Sequence, residues 1–166
     1  MPAPVDVAAL DQAREVLLGR GLAALAAWAM LNLVGSGYHL RRADRRFEPY
    51  YFHGMNVGWG LVNAALAFWG IWQLRATPAG FGVAGLVHEQ LAAENLFLLN
   101  AGLDVAYVMT GFYLRALAAG PKPARPERLL GFGQALWVQG GFLLAFDALM
   151  WSLLHAQGRG WLGQLL

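Results

Sequence analysis

The chain has 166 residues, of which 58% are hydrophobic and 13% charged, where an ordinary soluble domain is about a quarter charged. That length suits one domain. The lack of cysteine excludes disulfides and thiolate metal sites, and a net charge of +2 with its cations in short loops argues against nucleic acid as a partner.

The opening stretch, MPAPVDVAALDQAREVLLGRG, mixes acids with bases. It has no short apolar core before a small-residue cleavage site, so it does not read as a cleaved signal peptide. Residues 5–18 predict an amphipathic helix, with Val7, Leu10 and Leu17 on one side and Asp11, Gln12, Arg14 and Glu15 around the rest. No proline parts it from the first long apolar run, so the two can be continuous.

A membrane helix needs about 20 mostly apolar residues. Four stretches meet that length: 21–40, 50–74, 86–114 and 129–155. The first two are uncharged. The third carries Glu89, Glu94 and Asp104, and the fourth carries Asp147. Between the second and third lies RATPAGFGVAG, and between the third and fourth AAGPKPARPER; glycine and proline make both true breaks. The expected fold is all-α: one membrane domain over 1–166, a transmembrane four-helix bundle with an N-terminal amphipathic helix.

Lysine and arginine in short loops set orientation. Arg41, Arg42, Arg45, Arg46, Arg115, Lys122, Arg125 and Arg128 fall on one side, and Arg14, Arg20, Arg75 and Arg159 on the other. Both termini are therefore expected outside. Tyr38, Tyr50, Tyr51 and Tyr113 would mark the inner interface, and Trp69, Trp72, Trp151 and Trp161 the outer one. The pair GYHLR and GFYLR, followed at nearly equal distance by GWG and GFG, reads either as a duplicated hairpin or as chance in apolar sequence.

At 100° per residue each span presents one polar or small-residue stripe. The stripes are Trp28, Asn32, Gly35 and His39; His53, Asn56, Gly60, Asn63, Ala67 and Gly70; Glu89, Asn100, Asp104 and Tyr107; and Gly133, Trp137, Gly140, Asp147 and Trp151. Glu94 points away from the third of these, and His88 with Asn95 flanks it. Such stripes face a bundle interior, because lipid offers amides and acids no partner. Counted from the loops, Asn32, Asn63, Asp104 and Gln139 form a layer near the midplane, with Glu94, Asn95 and Asp147 in the outer half.

The amides and glycines suit helix packing. The acids differ, because no lysine or arginine lies inside any span to pair with Asp104 or Asp147. Without water or a cation such an acid is held more readily neutral, and it can then bond amides, exchange protons or hold a cation. Glu89 reads as a solvated cap. Each span has one histidine: His39 and His53 near the inner face, His88 and His155 near the outer. Two such pairs could ligate haem iron, and a carboxylate–histidine metal site is a similar alternative, but interfacial settings fit them as well. A Glu-x-x-His pair of the di-iron type is missing. Nucleophile triads, P-loops and dinucleotide fingerprints are absent too, so no cofactor is expected apart from the haem alternative.

FHGMNVGWGLVN, NAGLDVAYVMTGFYL and VQGGFLLAFDALMW together resemble a family of small four-span bacterial integral membrane proteins of unknown function. The resemblance implies a four-helix bundle in a bacterial inner membrane and transfers no catalytic residue. The residues singled out for ligand or proton binding are Asp104, Asp147, Asn100, Glu94, Asn32, Asn56, Asn63, Tyr107 and Gln139. The first expectation for function is binding or transport of a small ligand, a cation or protons. The alternatives are an accessory subunit of a larger membrane complex, a membrane-embedded enzyme on a lipid, isoprenoid or quinone, and a b-type haem carrier. The partners expected are the lipid bilayer and either a second copy of the chain or a larger complex.

Overall fold

A computed structural model describes residues 6–76 and 82–165. Four long helices make up nearly all of it: α1 (Val7–Leu40), α2 (Glu48–Ala76), α3 (Val83–Ala118) and α4 (Pro126–Leu165). All four are long and apolar enough to cross a membrane, and no strand occurs among the described residues. The fold is thus the expected all-α four-helix bundle. Val5 and residues 77–81 of the glycine-rich second loop lie outside the described residues.

The helix ends follow local chemistry. Asp6 caps α1, its carboxylate accepting from the Ala9 amide at 3.1 Å. In the loop before α2, Asp44 accepts from the Arg46 amide at 2.9 Å and from its guanidinium at 2.6 Å, and Pro49 then sits in the first turn of α2, where it removes no needed donor. Arg125 adopts φ 56°, a left-handed turn that feeds the chain into Pro126 at the start of α4.

The α3–α4 hairpin is the tightest contact. On α3, Gln90, Phe97, Asp104, Gly111 and Ala118 recur every seven residues; on α4, Gly133, Gly140, Asp147 and Leu154 do the same. A seven-residue repeat is the seam of two helices packed along their length. Glycine lets the backbones close: a Cβ on Gly111 would stand 2.7 Å from the Gly133 carbonyl, and one on Gly133 would stand 2.8 Å from the Gly111 carbonyl. The first hairpin lacks this reciprocity. Gly37 meets nothing within 4 Å, while a Cβ on Gly60 would meet Leu33 and the Ala29 carbonyl. Helix α2 packs on α1 and on α4, but its backbone makes no approach to α3.

Several expectations are corrected. The N-terminal segment runs straight into the first span as part of α1, as the absence of a proline allowed, but two of its polar residues, Asp11 and Arg14, face inward while Gln12 is exposed. Asp11 and Arg14 are buried and paired at 2.8 Å, with Glu89 of α3 at 3.8 Å from Arg14. Opposite charges that neutralise each other can enter a helix interface where single charges cannot. Glu89 is therefore tied to α1 as well as partly solvated. Residues Asn32–Ser36 form a π-helical turn. The extra residue in that turn shifts the register, so Asn32 and Ser36 face inward while Gly35 and His39 are exposed. Trp137 points outward, against Phe112 and under Arg115, whereas Trp161 is buried rather than interfacial.

Candidate functional site

The interior residues singled out from sequence fall into three polar groups at successive levels of the bundle. The first is built around Gln139, which is fully buried. Its Oε1 accepts from Trp28 Nε1 at 2.9 Å, and its Nε2 donates to Asn32 Oδ1 and Asn56 Oδ1, both at 2.7 Å. Asn32 Nδ2 donates in turn to the Trp28 carbonyl at 2.8 Å. The Trp28 ring stacks on Phe142 at 4.0 Å, which shields the cluster on one side. Every group named here has a partner, and together they join α1, α2 and α4. This arrangement can hold helices together.

The second group lies toward the N-terminal end of α3. Glu94 is buried; it accepts from Gln90 Nε2 at 2.9 Å and sits 2.9 Å from His155 Nδ1. Gln90 also donates to the Leu154 carbonyl at 2.6 Å. Gly158 leaves the room, since a Cβ there would meet Glu94 Oε1 at 2.9 Å. Glu94 thus faces α4, at the level of His155, well beyond Asp147. Asn95, assigned to that same depth, is exposed instead.

The third group stands at the base of a cleft of about 810 Å³ between α2 and α3. The cleft exists because these two helices do not pack backbone to backbone; Trp59 and Tyr107 bridge them edge to face at 5.0 Å. Its walls are mostly apolar and rich in rings, including Trp59, Trp69, Phe97, Tyr107 and Phe146. Val62, Leu66 and Leu96 stand on the rim and are exposed. The polar lining consists of Asn63, Asn100, Asp104 and Asp147. Asn63, Asp104 and Asp147 are 1%, 3% and 5% exposed.

The carboxyls of Asp104 and Asp147 contact each other side chain to side chain. This revises the expectation of two depths. A Cβ on Gly140 would stand 3.2 Å from the Asp104 carbonyl, which puts the Asp147 backbone about two turns away along α4. Helical side chains lean toward their own N-terminus, and α3 and α4 are antiparallel. The two acids therefore lean toward each other. Carboxylates only accept, so this contact is a hydrogen bond when one of the pair carries a proton. Apart from the contact between the two carboxyls, two buried polar atoms here have no hydrogen-bond partner: Asn63 Nδ2, a donor, and Asp104 Oδ2, an acceptor.

The histidines do not assemble a haem or metal site. His39 and His53 stack face to face at 4.9 Å, with His53 Nδ1 3.2 Å from Ser36 Oγ. Side-by-side stacking is not the opposed geometry an axial pair requires. His155 is engaged by Glu94, and no cluster of three or more His, Asp or Glu forms among the described residues. Of the nine residues singled out from sequence, Asn63, Asn100, Asp104, Tyr107 and Asp147 share the cleft. Asn32, Asn56 and Gln139 form the separate amide cluster, and Glu94 belongs with His155. Missed from sequence were Trp59 and Phe97 as walls, and Gln90 and Ser36 as partners. Trp59 carried a signal, since it lies four residues before Asn63 on one face of α2.

Residues 24–148 match the model of a family of unknown function (DUF6992). No match was found among curated proteins or among solved structures.

Proposed function

The chain belongs to this family of unknown function, DUF6992, and from that premise we propose that it spans a bacterial inner membrane four times and binds a small membrane-borne amphiphile. The molecule enters sideways between α2 and α3 and sets its polar end on the Asp104–Asp147 pair. One observation carries this reading: the cleft is open on the flank of the bundle, apolar along its walls, and polar only at its base near the middle of the spans. Ligand sites are commonly of this size and character, and a lateral mouth admits what is dissolved in the bilayer. The loop cations favour both termini outside.

The carboxyl pair also supports a second reading, proton transfer to or from the bound molecule. Two acids in contact can hold and release one proton between them. Transport of a small ion is less well served by a cleft that opens to the side.

Native mass spectrometry of the protein extracted in mild detergent tests the binding reading. The wild type is expected to carry a discrete small-molecule mass that the Asp104→Asn/Asp147→Asn variant loses while keeping its helical circular dichroism. A bare wild-type chain, or a bound mass indifferent to both substitutions, overturns it.

A further inference from the structure

The two unpartnered atoms at the base of the cleft narrow the ligand class; the argument rests on the binding reading above. Asn63 Nδ2 is a donor without an acceptor, and Asp104 Oδ2 an acceptor without a donor. Both belong to residues at least nine-tenths buried that line the cleft. Folded proteins seldom leave such atoms unsatisfied; Gln139 of the same bundle is bonded through both its amide atoms, and of the four such buried atoms among the described residues the other two, Gln90 Oε1 and Gln157 Oε1, lie away from the cleft.

We infer that the cleft takes a membrane-borne amphiphile whose polar end is a ring hydroxyl, of the phenol or quinol class. A hydroxyl both donates and accepts through one oxygen. It can accept from Asn63 Nδ2 and donate to a carboxyl oxygen of the Asp104–Asp147 pair. Other headgroups match less well. An ether accepts but cannot donate, which leaves the Asp104 oxygen unmatched. An ammonium donates but cannot accept, which leaves the Asn63 amide unmatched. A phosphate or carboxylate would bring negative charge to two acids, and no lysine, arginine or histidine is among the lining residues. The flat walls from Trp59, Tyr107 and Phe146 suit a ring next to the hydroxyl.

The test uses the full chain in phosphatidylcholine nanodiscs, with occupancy read by native mass spectrometry against probe content. The probes are 4-nonylphenol, its methyl ether and nonylammonium. The phenol is expected to bind roughly tenfold more tightly than the ether, as for loss of one buried hydrogen bond, and more tightly than the ammonium. Asn63→Leu is expected to weaken phenol binding and bring it near that of the ether. Equal binding of phenol and ether overturns the hydroxyl assignment while leaving the cleft as a binding site. Tighter binding of the ammonium likewise overturns it, in favour of a cationic ligand. If no probe binds, the cleft reading itself falls, and the hydroxyl assignment falls with it.

Discussion

His155 Nδ1 lies 2.9 Å from Glu94 Oε2, and this contact fastens α3 to α4 beyond the carboxyl pair. Glu94 is buried while the His155 side chain is 45% exposed, so the histidine bridges a buried acid to the surroundings. A double-mutant cycle of Glu94→Ala and His155→Ala is expected to give a coupling of about 1 kcal/mol, the scale of interhelical hydrogen bonds in bilayers. Reversible unfolding in mixed micelles would measure it. A coupling near zero would mean that the contact forms without holding the helices.

Glycine close approach predicts a contrast between pairs of sites. Gly111→Ala and Gly133→Ala each force a methyl group against backbone, at 2.7 and 2.8 Å, and backbone cannot rotate away. Each is expected to destabilise the hairpin by about 1–3 kcal/mol. Gly102→Ala and Gly141→Ala meet nothing within 4 Å; they should be neutral, or raise the midpoint slightly through helix propensity. Thermal midpoints of the four variants decide the matter. Equal losses at all four would place the cause in backbone flexibility instead of packing.

Much of this bundle was legible in the sequence, and what was not has physical reasons. Apolar runs of membrane length give helices because lipid would leave the backbone no other partner, so the four long helices could be read off directly. Asp104 and Asp147 stood out because an acid without a cation is rare at that depth. Their contact was hidden, because it depends on the stagger and lean of two helices. The π-helical turn at Asn32–Ser36 has no periodic signature, yet it moves His39 out and Ser36 in. Arg14 was misread because a salt bridge inside an interface has the same composition as a solvated face. The cleft itself arises from two helices that fail to touch, which is a tertiary fact no single helix encodes.

The loop at Asp44 carries a pH prediction. Hydrogen bonds from the Arg46 side chain and then its amide hold the Asp44 carboxyl below the usual carboxylate range. A depressed acid stabilises the folded loop at pH above its ordinary value, and that contribution is lost as pH falls through the lower folded value. Because Asp44 is exposed, solvent screens the pair and the bundle as a whole should not respond. NMR titration of the Asp44 carboxyl is expected to show a lower midpoint than in a peptide of residues 41–47, and Arg46→Gln should raise it. An unchanged midpoint in Arg46→Gln would show that the arginine contact is not the cause.

The amides provide the sharpest separation between packing and site. Gln139→Leu strips partners from Trp28 Nε1, Asn32 and Asn56 at once, and the orphaned groups should lower stability by about 1–3 kcal/mol. Asn63→Leu has the opposite expectation. Its Nδ2 bonds to nothing in the protein, so replacing it by an apolar side chain of similar size removes a buried unpaired donor. The ligand-free protein should be no less stable for the change, and it should gain if the leucine packs well. A polar group that lowers stability where it sits, and whose removal costs only binding, is the mark of a site kept for function. Unfolding midpoints of Gln139→Leu and Asn63→Leu in ligand-free detergent would read this directly. Equal destabilisation by both would make Asn63 another packing amide and the cleft a gap between helices.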